Sequence, residues 1–236
     1  MCIVRVVLVH GSVGNGPATW GALQPLAERY ELVVPNRGGY PPHPQLERID
    51  FEQQAEELAP LLADGAHLVG HSYGGVISLL VAARHPGSVR SLTVSEPPAF
   101  GVARGRPEVE QLVADLDAFF RAGPHEPGAF LRGFLAVVGS DAKLPDPLPP
   151  ELEQGARASM AERPPWEAEI PLDELATAPF PKLVVSGAHH AAFDAVCDVL
   201  EERLGAERAI LPGAGHSLPR APGYPERLKA FLDGNT

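Results

Sequence analysis

The sequence predicts an α/β protein with a mostly parallel central sheet that is flanked by helices. Short apolar segments alternate with segments of helix length, which is the pattern of parallel strands joined by crossover helices. Most of the short segments have successive apolar residues instead of an alternating pattern, as expected for strands that are covered on both faces. The predicted strands are 2–9, 30–34, 66–69, 91–95, 182–186 and 207–211.

Helix-length segments fill most of the chain between these strands. The segment that begins at Asp50 has acidic residues in its first turns after a residue that can cap a helix, and both features favour a helix start. The chain has 236 residues, which is enough for one well-buried core and one independent domain. The predicted helices of the core are 19–28, 50–63, 73–84, 193–204 and 225–232.

The segment 97–179 interrupts this alternation with helical patterns that are separated by proline-rich joints. A helical insertion at the edge of a parallel sheet is placed to cover a pocket there. We therefore expect an α/β core at 1–96 and 180–236 and a helical cap insertion at 97–179, within one compact domain. The alternative is a small packed subdomain with no gating role. The helical patterns of the insertion are 107–121, 129–138 and 151–162.

The composition bears on the partners of the protein and on its location in the cell. The net charge is −11, from 30 acidic and 19 basic residues, which argues against nucleic acid or an anionic membrane as the main partner. Cys2 and Cys197 are expected to be reduced thiols. No signal peptide is recognised, and no apolar run approaches the roughly 20 residues that span a bilayer. A cytoplasmic location is therefore expected, while the oligomeric state is left open.

The strongest motif is Gly-His-Ser-Tyr-Gly-Gly at 70–75, between a predicted strand and a predicted helix. This is the context of a G-x-S-x-G nucleophile elbow, in which a serine lies on a sharp strand-to-helix turn. The glycines remove side chains that would collide in such a turn. The start of the following helix favours negative charge near the serine. Ser72 is therefore the candidate nucleophile.

Two further glycine-containing segments supply the candidate partners of Ser72. An oxyanion hole needs two backbone N–H donors aimed at one point. Tyr73 would supply one donor and the loop after His10 and Gly11 the other, from Ser12. The candidate general base is His216, which follows the last strand behind a glycine-rich turn. The alternative for the glycines of the first loop is a flexible turn without a catalytic role.

Three segments carry a resemblance to a known family: the His-Gly at 10–11, the elbow at 70–75 and the Gly-Ala-Gly-His at 213–216. In their order and spacing, they resemble the α/β-hydrolase superfamily over nearly the whole chain. The stretch 10–20 is similar to esterases, hydroxynitrile lyases and related small members. The resemblance implies an eight-stranded, mostly parallel sheet and a triad of serine, acid and histidine. It implies no cofactor for the ordinary hydrolases.

The third member of such a triad orients the imidazole and stabilises its protonated form. In most of the superfamily it is an Asp three residues after the glycine that ends the penultimate strand, and here His190 stands at that position. Glu96, at the end of the preceding strand, resembles the acid of other branches and is the favoured candidate. Asp194 is the alternative. Without a catalytic role, Glu96 would hydrogen-bond the cap and Asp194 would stabilise a helix start.

Other residues near the candidate site are not expected to take part in the reaction directly. Asn-Arg-Gly-Gly at 36–39 stands where many relatives have Asp before Arg-Gly, a difference expected to affect loop packing more than chemistry. His189 and His190 are adjacent, but no third ligand has useful spacing, so no metal site is predicted. His71 is expected to support the elbow.

The expected activity is two-step acyl transfer on a small-molecule ester or thioester. Ser72 would attack the carbonyl, His216 would take its proton, and water would release the acid. One alternative is a lyase or cyclase of the same fold that uses the Ser-His pair for proton transfer. Another is a non-catalytic receptor for a small ligand. The aromatic candidates for lining a pocket are Phe100, Phe119, Phe120, Phe130, Phe134 and Trp166.

Overall fold

The computed structural model describes residues 3–63, 65–140 and 142–235, and its centre is a six-stranded sheet. The strands are β1 Val4–Val9, β2 Tyr30–Val33, β3 Ala66–His71, β4 Val89–Ser95, β5 Lys182–Ser186 and β6 Glu207–Ile210. They lie in the order β2-β1-β3-β4-β5-β6, and every neighbouring pair is parallel. The carboxyl ends of the strands therefore meet at one edge, where loops can bring distant residues together.

The predicted α/β class with a parallel sheet is confirmed, and each predicted strand has a counterpart. Cys2, in the first predicted strand, lies outside the described residues. The resemblance implied eight strands, whereas the described residues form six. The segment 34–50 between β2 and the next helix contains four prolines and forms no strand. Proline lacks the N–H that a sheet ladder requires, which disfavours a strand there.

Helices cover both faces of the sheet. They are α1 Gly16–Trp20, α2 Phe51–Leu58, α3 Tyr73–Arg84, α4 Pro107–Ala122, α5 Pro127–Val137, α6 Pro150–Ala161, α7 Leu172–Thr177, α8 Ala191–Leu204 and α9 Tyr224–Asp233. Two predicted α-helices continue instead as 3₁₀ helix, at Gly21–Glu28 and Ala59–Leu62. Each of these segments contains a proline, Pro25 or Pro60, which removes an α-helical hydrogen bond.

Alternating side chains of the strands fill two separate cores. Val7 and Val9 of β1 pack in the core under α2, α3 and α8, whereas Val6 and Leu8 pack in the core under α1 and α9. This alternation follows from the two-residue repeat of a strand, which points successive side chains to opposite faces. Burial on both faces favours the apolar side chains that predominate in β1, whereas β4 also buries polar side chains such as that of Thr93.

The chain between β4 and β5 forms the helices α4 to α7. Three of these helices match the predicted helical patterns, and the short α7 was not predicted. Rings from α4, α5 and the segment before α7 pack against one another, with ring centroids 5.3 to 6.2 Å apart. The rings belong to Phe119, Phe120, Phe130, Phe134 and Trp166. A cap role for 97–179 stays a prediction.

The sequence predicts that the chain has no membrane span and that its cysteines are reduced. In the described part of the chain, no helix combines the length and apolarity needed to cross a bilayer. Cys197 is a free, buried thiol, and burial raises its pKa to about 12. The predicted cytoplasmic location stays a prediction.

Buried histidines make the stability of the fold depend on pH. Burial lowers the pKa of His67 to about 4 and that of His71 to about 3. The unfolded chain binds these protons near the ordinary pKa of 6.5, so it gains protons first as the pH falls. The stability contributed by the neutral rings is therefore present above about pH 6.5 and is lost progressively below it.

We expect His67→Gln to flatten the pH dependence of the free energy of unfolding between pH 6.5 and 4. The slope should fall by up to about 1.4 kcal/mol per pH unit, which is the contribution of one proton. Urea unfolding at a series of pH values measures this slope. His43→Gln, at an exposed position, is the matched control. Equal slopes for His67→Gln and the unaltered protein would contradict the prediction.

Candidate active site

Ser72 lies on the sharp turn between β3 and α3. Its φ of 51° and ψ of −127° are unusual for a residue with a side chain. The turn is crowded, since a Cβ at Gly70 would lie 2.8 Å from Gly75 Cα. The backbone N–H of Ser72 donates to the Ser95 carbonyl at 2.9 Å, which anchors the turn to the end of β4. The local geometry is that of the predicted elbow.

His216 reaches Ser72 from the loop after β6. This loop bends at Gly213 and Gly215, whose φ values of 81° and 60° favour glycine. His216 Nε2 lies 2.9 Å from Ser72 Oγ, which is hydrogen-bond distance. The structure thus brings together two side chains that are 144 positions apart in the sequence.

His71 links the elbow to the loop that carries His216. Its Nε2 lies 2.7 Å from the backbone carbonyl of His216, so this nitrogen donates. Burial, followed by the influence of His216, lowers the pKa of His71 to about 3. The ring is therefore neutral around pH 7, with its single proton on Nε2.

Glu96 is fully buried at the carboxyl end of β4 and faces His216. Its Oε2 accepts a hydrogen bond from His216 Nδ1 at 2.7 Å. Its Oε1 accepts from the backbone N–H of Gly187 at 2.7 Å and lies 3.0 Å from His189 Nδ1. The φ of Glu96 is 43°, a strained backbone value for a residue with a side chain. Both carboxylate oxygens are held by donors.

The surroundings of Glu96 keep it ionised. Burial alone would raise its pKa, but the hydrogen bonds from His189 and His216 outweigh burial and hold the pKa at about 2. A carboxylate at this position stabilises a positive charge on His216 when that ring takes up a proton.

His189 was not among the predicted site residues. Its Nδ1 lies 3.0 Å from Glu96 Oε1, and its Nε2 lies 3.2 Å from the Val138 carbonyl. Both partners are acceptors, and a neutral imidazole donates from one nitrogen only, so this geometry favours the protonated ring. Burial lowers the pKa of His189, yet the contacts with Glu96 outweigh it and raise the pKa overall. Its place two residues after the glycine that ends β5 was the available sequence signal.

Asp194, the alternative acid, lies on α8. Its Oδ1 is 3.6 Å from Arg208 Nη2, on the strand β6. In the described residues, no hydrogen bond joins Asp194 to His216, whereas Glu96 makes one at 2.7 Å. Of the two predicted carboxylates, the structure brings only Glu96 to the imidazole.

The loop after β1 packs directly against the elbow. A Cβ at Gly11 would lie 2.8 Å from Ser72 Cβ, so a larger residue there would push the loop away. The backbone N–H groups of Ser12 and Tyr73 donate to no acceptor among the described residues. Ser12 and Tyr73 also line the pocket that contains Ser72. Two unpaired donors beside the serine are what binding of an oxyanion requires.

Two clefts meet at Ser72. The first is mainly apolar and has one charged side chain, Glu162. Its apolar lining includes Phe100, Leu116, Phe120, Phe134, Trp166 and Phe193. The second cleft is wider and more polar, with Thr19, Ser140, Lys143 and Arg220 in its lining. Four of the six aromatic candidates thus face the first cleft, and Phe119 and Phe130 are not part of its lining.

One group of side chains has the composition of a metal site. Ligand-type atoms of Glu96, His189 and His216 lie within 4.8 Å of one another in the described part of the chain. No sequence pattern predicts this group, because Glu96 and His216 are distant from His189 in sequence. The same atoms are already paired as hydrogen-bond donors and acceptors. A proton network therefore accounts for these contacts.

Several known proteins are similar to this chain. A pimeloyl-[acyl-carrier protein] methyl ester esterase of Aeromonas hydrophila is 34% identical over 98 residues, which are 40% of this chain and 39% of the relative. Its namesake of Aromatoleum aromaticum is 33% identical over 145 residues, 56% of this chain and 54% of the relative. The chain thus spans about half or less of the length of these relatives.

A solved structure, that of a membrane phospholipase A described as a bacterial virulence factor, is 27% identical. Its TM-score is 0.74, and the match covers 98% of this chain and 79% of that one. The model of the alpha/beta hydrolase family matches residues 6–228, which is nearly the whole chain. Together with the parallel sheet and the elbow, this match shows that the chain belongs to the α/β-hydrolase family.

Proposed function

We propose that this protein hydrolyses carboxylic esters or thioesters of acyl compounds by two-step acyl transfer at Ser72. The observation that carries the proposal is the hydrogen-bond chain from Glu96 through His216 to Ser72, at the mouth of an apolar pocket. In this series of hydrogen bonds, the nucleophile contacts its base and the base contacts its acid, as nucleophilic catalysis needs.

In the first step, Ser72 Oγ attacks the acyl carbon while its proton moves to His216 Nε2. The carbonyl electron pair moves to oxygen, and the N–H groups of Ser12 and Tyr73 hold the resulting oxyanion. As the oxyanion collapses, the bond to the leaving alcohol or thiol breaks. His216 gives its proton to that leaving group, and Ser72 is left as an acyl ester.

In the second step, water takes the place of the alcohol or thiol. His216 removes a proton from water, whose oxygen attacks the acyl ester and forms a second oxyanion. Collapse breaks the bond to Ser72 Oγ, which regains a proton from His216. The products are a carboxylic acid and the free enzyme.

Glu96 is the acid that we assign to this mechanism. Its Oε2 is 2.7 Å from His216 Nδ1, so it fixes the tautomer that leaves Nε2 free to accept the proton of Ser72. His189 and Gly187 hold the other oxygen of Glu96 and so position the carboxylate. Asp194 is paired with Arg208 and has no such contact with His216.

The two clefts suggest how a substrate lies in the site. We assign the acyl chain to the apolar cleft, where burial of methylene groups supplies binding energy. The alcohol or thiol part would occupy the wider, polar cleft. The names of the relatives, methyl ester esterases, support an ester of an acyl chain as the substrate class.

We expect kcat/KM for p-nitrophenyl esters to rise roughly fourfold per added methylene until the apolar cleft is full, and then to fall. The factor corresponds to about 0.8 kcal/mol per buried methylene. Trp166→Ala should move the maximum to a longer chain because the side chain lines the cleft. Phe119→Leu, in the same aromatic cluster but outside the lining, is the matched control. A flat chain-length profile would contradict the assigned acyl site.

Trapping of an acyl-enzyme and measurement of ligand binding separate hydrolysis from the alternative functions. An acylated Ser72, trapped with a slow substrate and located by mass spectrometry, is expected for acyl transfer. A lyase or cyclase that only moves protons would form no acyl-serine. A ligand receptor would bind a small apolar molecule tightly without turnover.

A further inference from the structure

We propose that a buried ion pair between Arg37 and Glu162 positions the peptide that carries the oxyanion-binding N–H of Ser12. Arg37 lies in the loop after β2, and Glu162 lies directly after α6 in the insertion. Arg37 and Glu162 are therefore positioning residues that act through the Gly11–Ser12 peptide. The inference rests on the proposed function because it assumes that Ser12 donates to the oxyanion.

The carbonyl of Gly11 is held by two side chains. Its oxygen accepts from Arg37 Nη2 at 2.9 Å and lies 2.8 Å from His10 Nδ1. The Gly11 carbonyl and the Ser12 N–H belong to one planar peptide and point in opposite directions. Fixing the oxygen therefore fixes the direction of the N–H.

The protonation state of His10 allows its ring to donate a hydrogen bond to the Gly11 carbonyl. The backbone N–H of Arg37 donates to His10 Nε2 at 3.0 Å, so that nitrogen carries no hydrogen. The single proton of the neutral ring is then on Nδ1, where it donates to the Gly11 carbonyl. Burial, followed by the charge of Arg37, lowers the pKa of His10 well below its usual value and keeps the ring neutral.

Glu162 accepts a hydrogen bond from the same nitrogen of Arg37 that donates to the Gly11 carbonyl. Its Oε1 accepts from Arg37 Nη2 at 2.6 Å and from the Tyr40 hydroxyl at 2.8 Å, and the exposed fraction of its side chain is 5%. Its Oε2 accepts from the Ser12 hydroxyl at 2.5 Å. One carboxylate thus contacts both the guanidinium and the residue whose N–H is being positioned.

The backbone on either side of Glu162 is tied to the core. The N–H of Ile49 donates to the Ala161 carbonyl at 2.8 Å, and the N–H of Arg163 donates to the Ile49 carbonyl at 2.7 Å. These bonds form a parallel bridge between Ile49 and Glu162. The carboxylate is therefore supported by backbone contacts as well as by its own partners.

The guanidinium also contacts the other side of the oxyanion site. Arg37 Cζ lies 4.5 Å from the ring centroid of Tyr40 and 4.8 Å from that of Tyr73. The backbone N–H of Tyr73 is the second proposed oxyanion donor. The Arg37 cation, which is hydrogen-bonded to the Gly11 carbonyl, also polarises the Gly11–Ser12 peptide. This polarisation makes the Ser12 N–H a stronger donor.

Arg37→Met tests the proposal, with Arg37→Lys and Glu162→Gln as conservative variants. Loss of one oxyanion donor lowers kcat by about 10² to 10³, so misdirection of one donor should lower it by about 10 to 100-fold. KM should stay within about threefold, because the peptide acts mainly in the transition state. Affinity for a trifluoromethyl ketone that forms a tetrahedral adduct should fall by the same factor as kcat/KM.

The rate is measured per reactive serine, counted by titration with a fluorophosphonate. A merely structural role would lower the number of reactive serines and leave kcat per serine unchanged. Normal kcat per reactive serine in a folded Arg37→Met, Arg37→Lys or Glu162→Gln variant would overturn the proposal. If Arg37→Met does not fold, the two conservative variants supply the test.

Two control variants separate this proposal from general damage. Arg84→Gln removes a surface ion pair with Glu56, and Tyr30→Phe removes a hydrogen bond to Asp233, both at other elements of the fold. Both should keep kcat per reactive serine unchanged, whatever their stability. If the proposed function itself is wrong, a fluorophosphonate should not label Ser72 in the unaltered protein.

Discussion

Ser72→Ala is expected to lower kcat for any ester substrate by about 10⁴ to 10⁶, with KM changed little. Alanine has no oxygen to attack the carbonyl. In the described residues, the hydroxyl that hydrogen-bonds His216 Nε2 is that of Ser72, at 2.9 Å. Steady-state kinetics with p-nitrophenyl esters measures the loss. Labelling by a fluorophosphonate should disappear in the same variant.

Ser88→Ala is the matched control, because it also removes a single hydroxyl, at the turn after α3. It should keep full activity and labelling. Labelling of Ser72→Ala at another residue, together with retained turnover, would mean that a different nucleophile serves this protein. Thermal unfolding of both variants shows whether the fold is intact.

Glu96→Gln is expected to lower kcat by about 10³ to 10⁴, which is the size of effect known for loss of a triad carboxylate. The three groups that face Glu96 are the Gly187 N–H and the rings of His189 and His216. Glutamine offers one acceptor oxygen in place of two, so its amide N–H₂ must face a donor. It also lacks the charge that would stabilise protonated His216.

Asp194→Asn is the matched control for the choice of acid. Asp194 pairs with Arg208 at 3.6 Å, so the variant should keep kcat within about threefold. The reverse result, an active Glu96→Gln and an inactive Asp194→Asn, would assign the acid to α8. Measurement at several pH values above 5 is informative, since the Glu96 pKa of about 2 keeps the carboxylate ionised throughout that range.

The sequence by itself determined the fold class and the local geometry around Ser72. Successive apolar residues in short segments predict the strands, because strands that are covered on both faces bury mostly apolar side chains. Gly70 and Gly74 beside Ser72 predict a sharp turn, since only small residues fit there. The position of His216 after a glycine-rich turn placed it at the same edge of the sheet as Ser72. These features depend on neighbouring residues, so a local pattern is enough.

Only the tertiary structure decided which carboxylate faces the imidazole and what surrounds it. Glu96 contacts His216, 120 positions away, and Glu162 contacts Arg37, 125 positions away. His189 joins the first group through two acceptors on different elements. Such contacts depend on how the loops and the insertion fold back over the sheet edge. Packing of distant segments sets that arrangement, and no short sequence pattern encodes it.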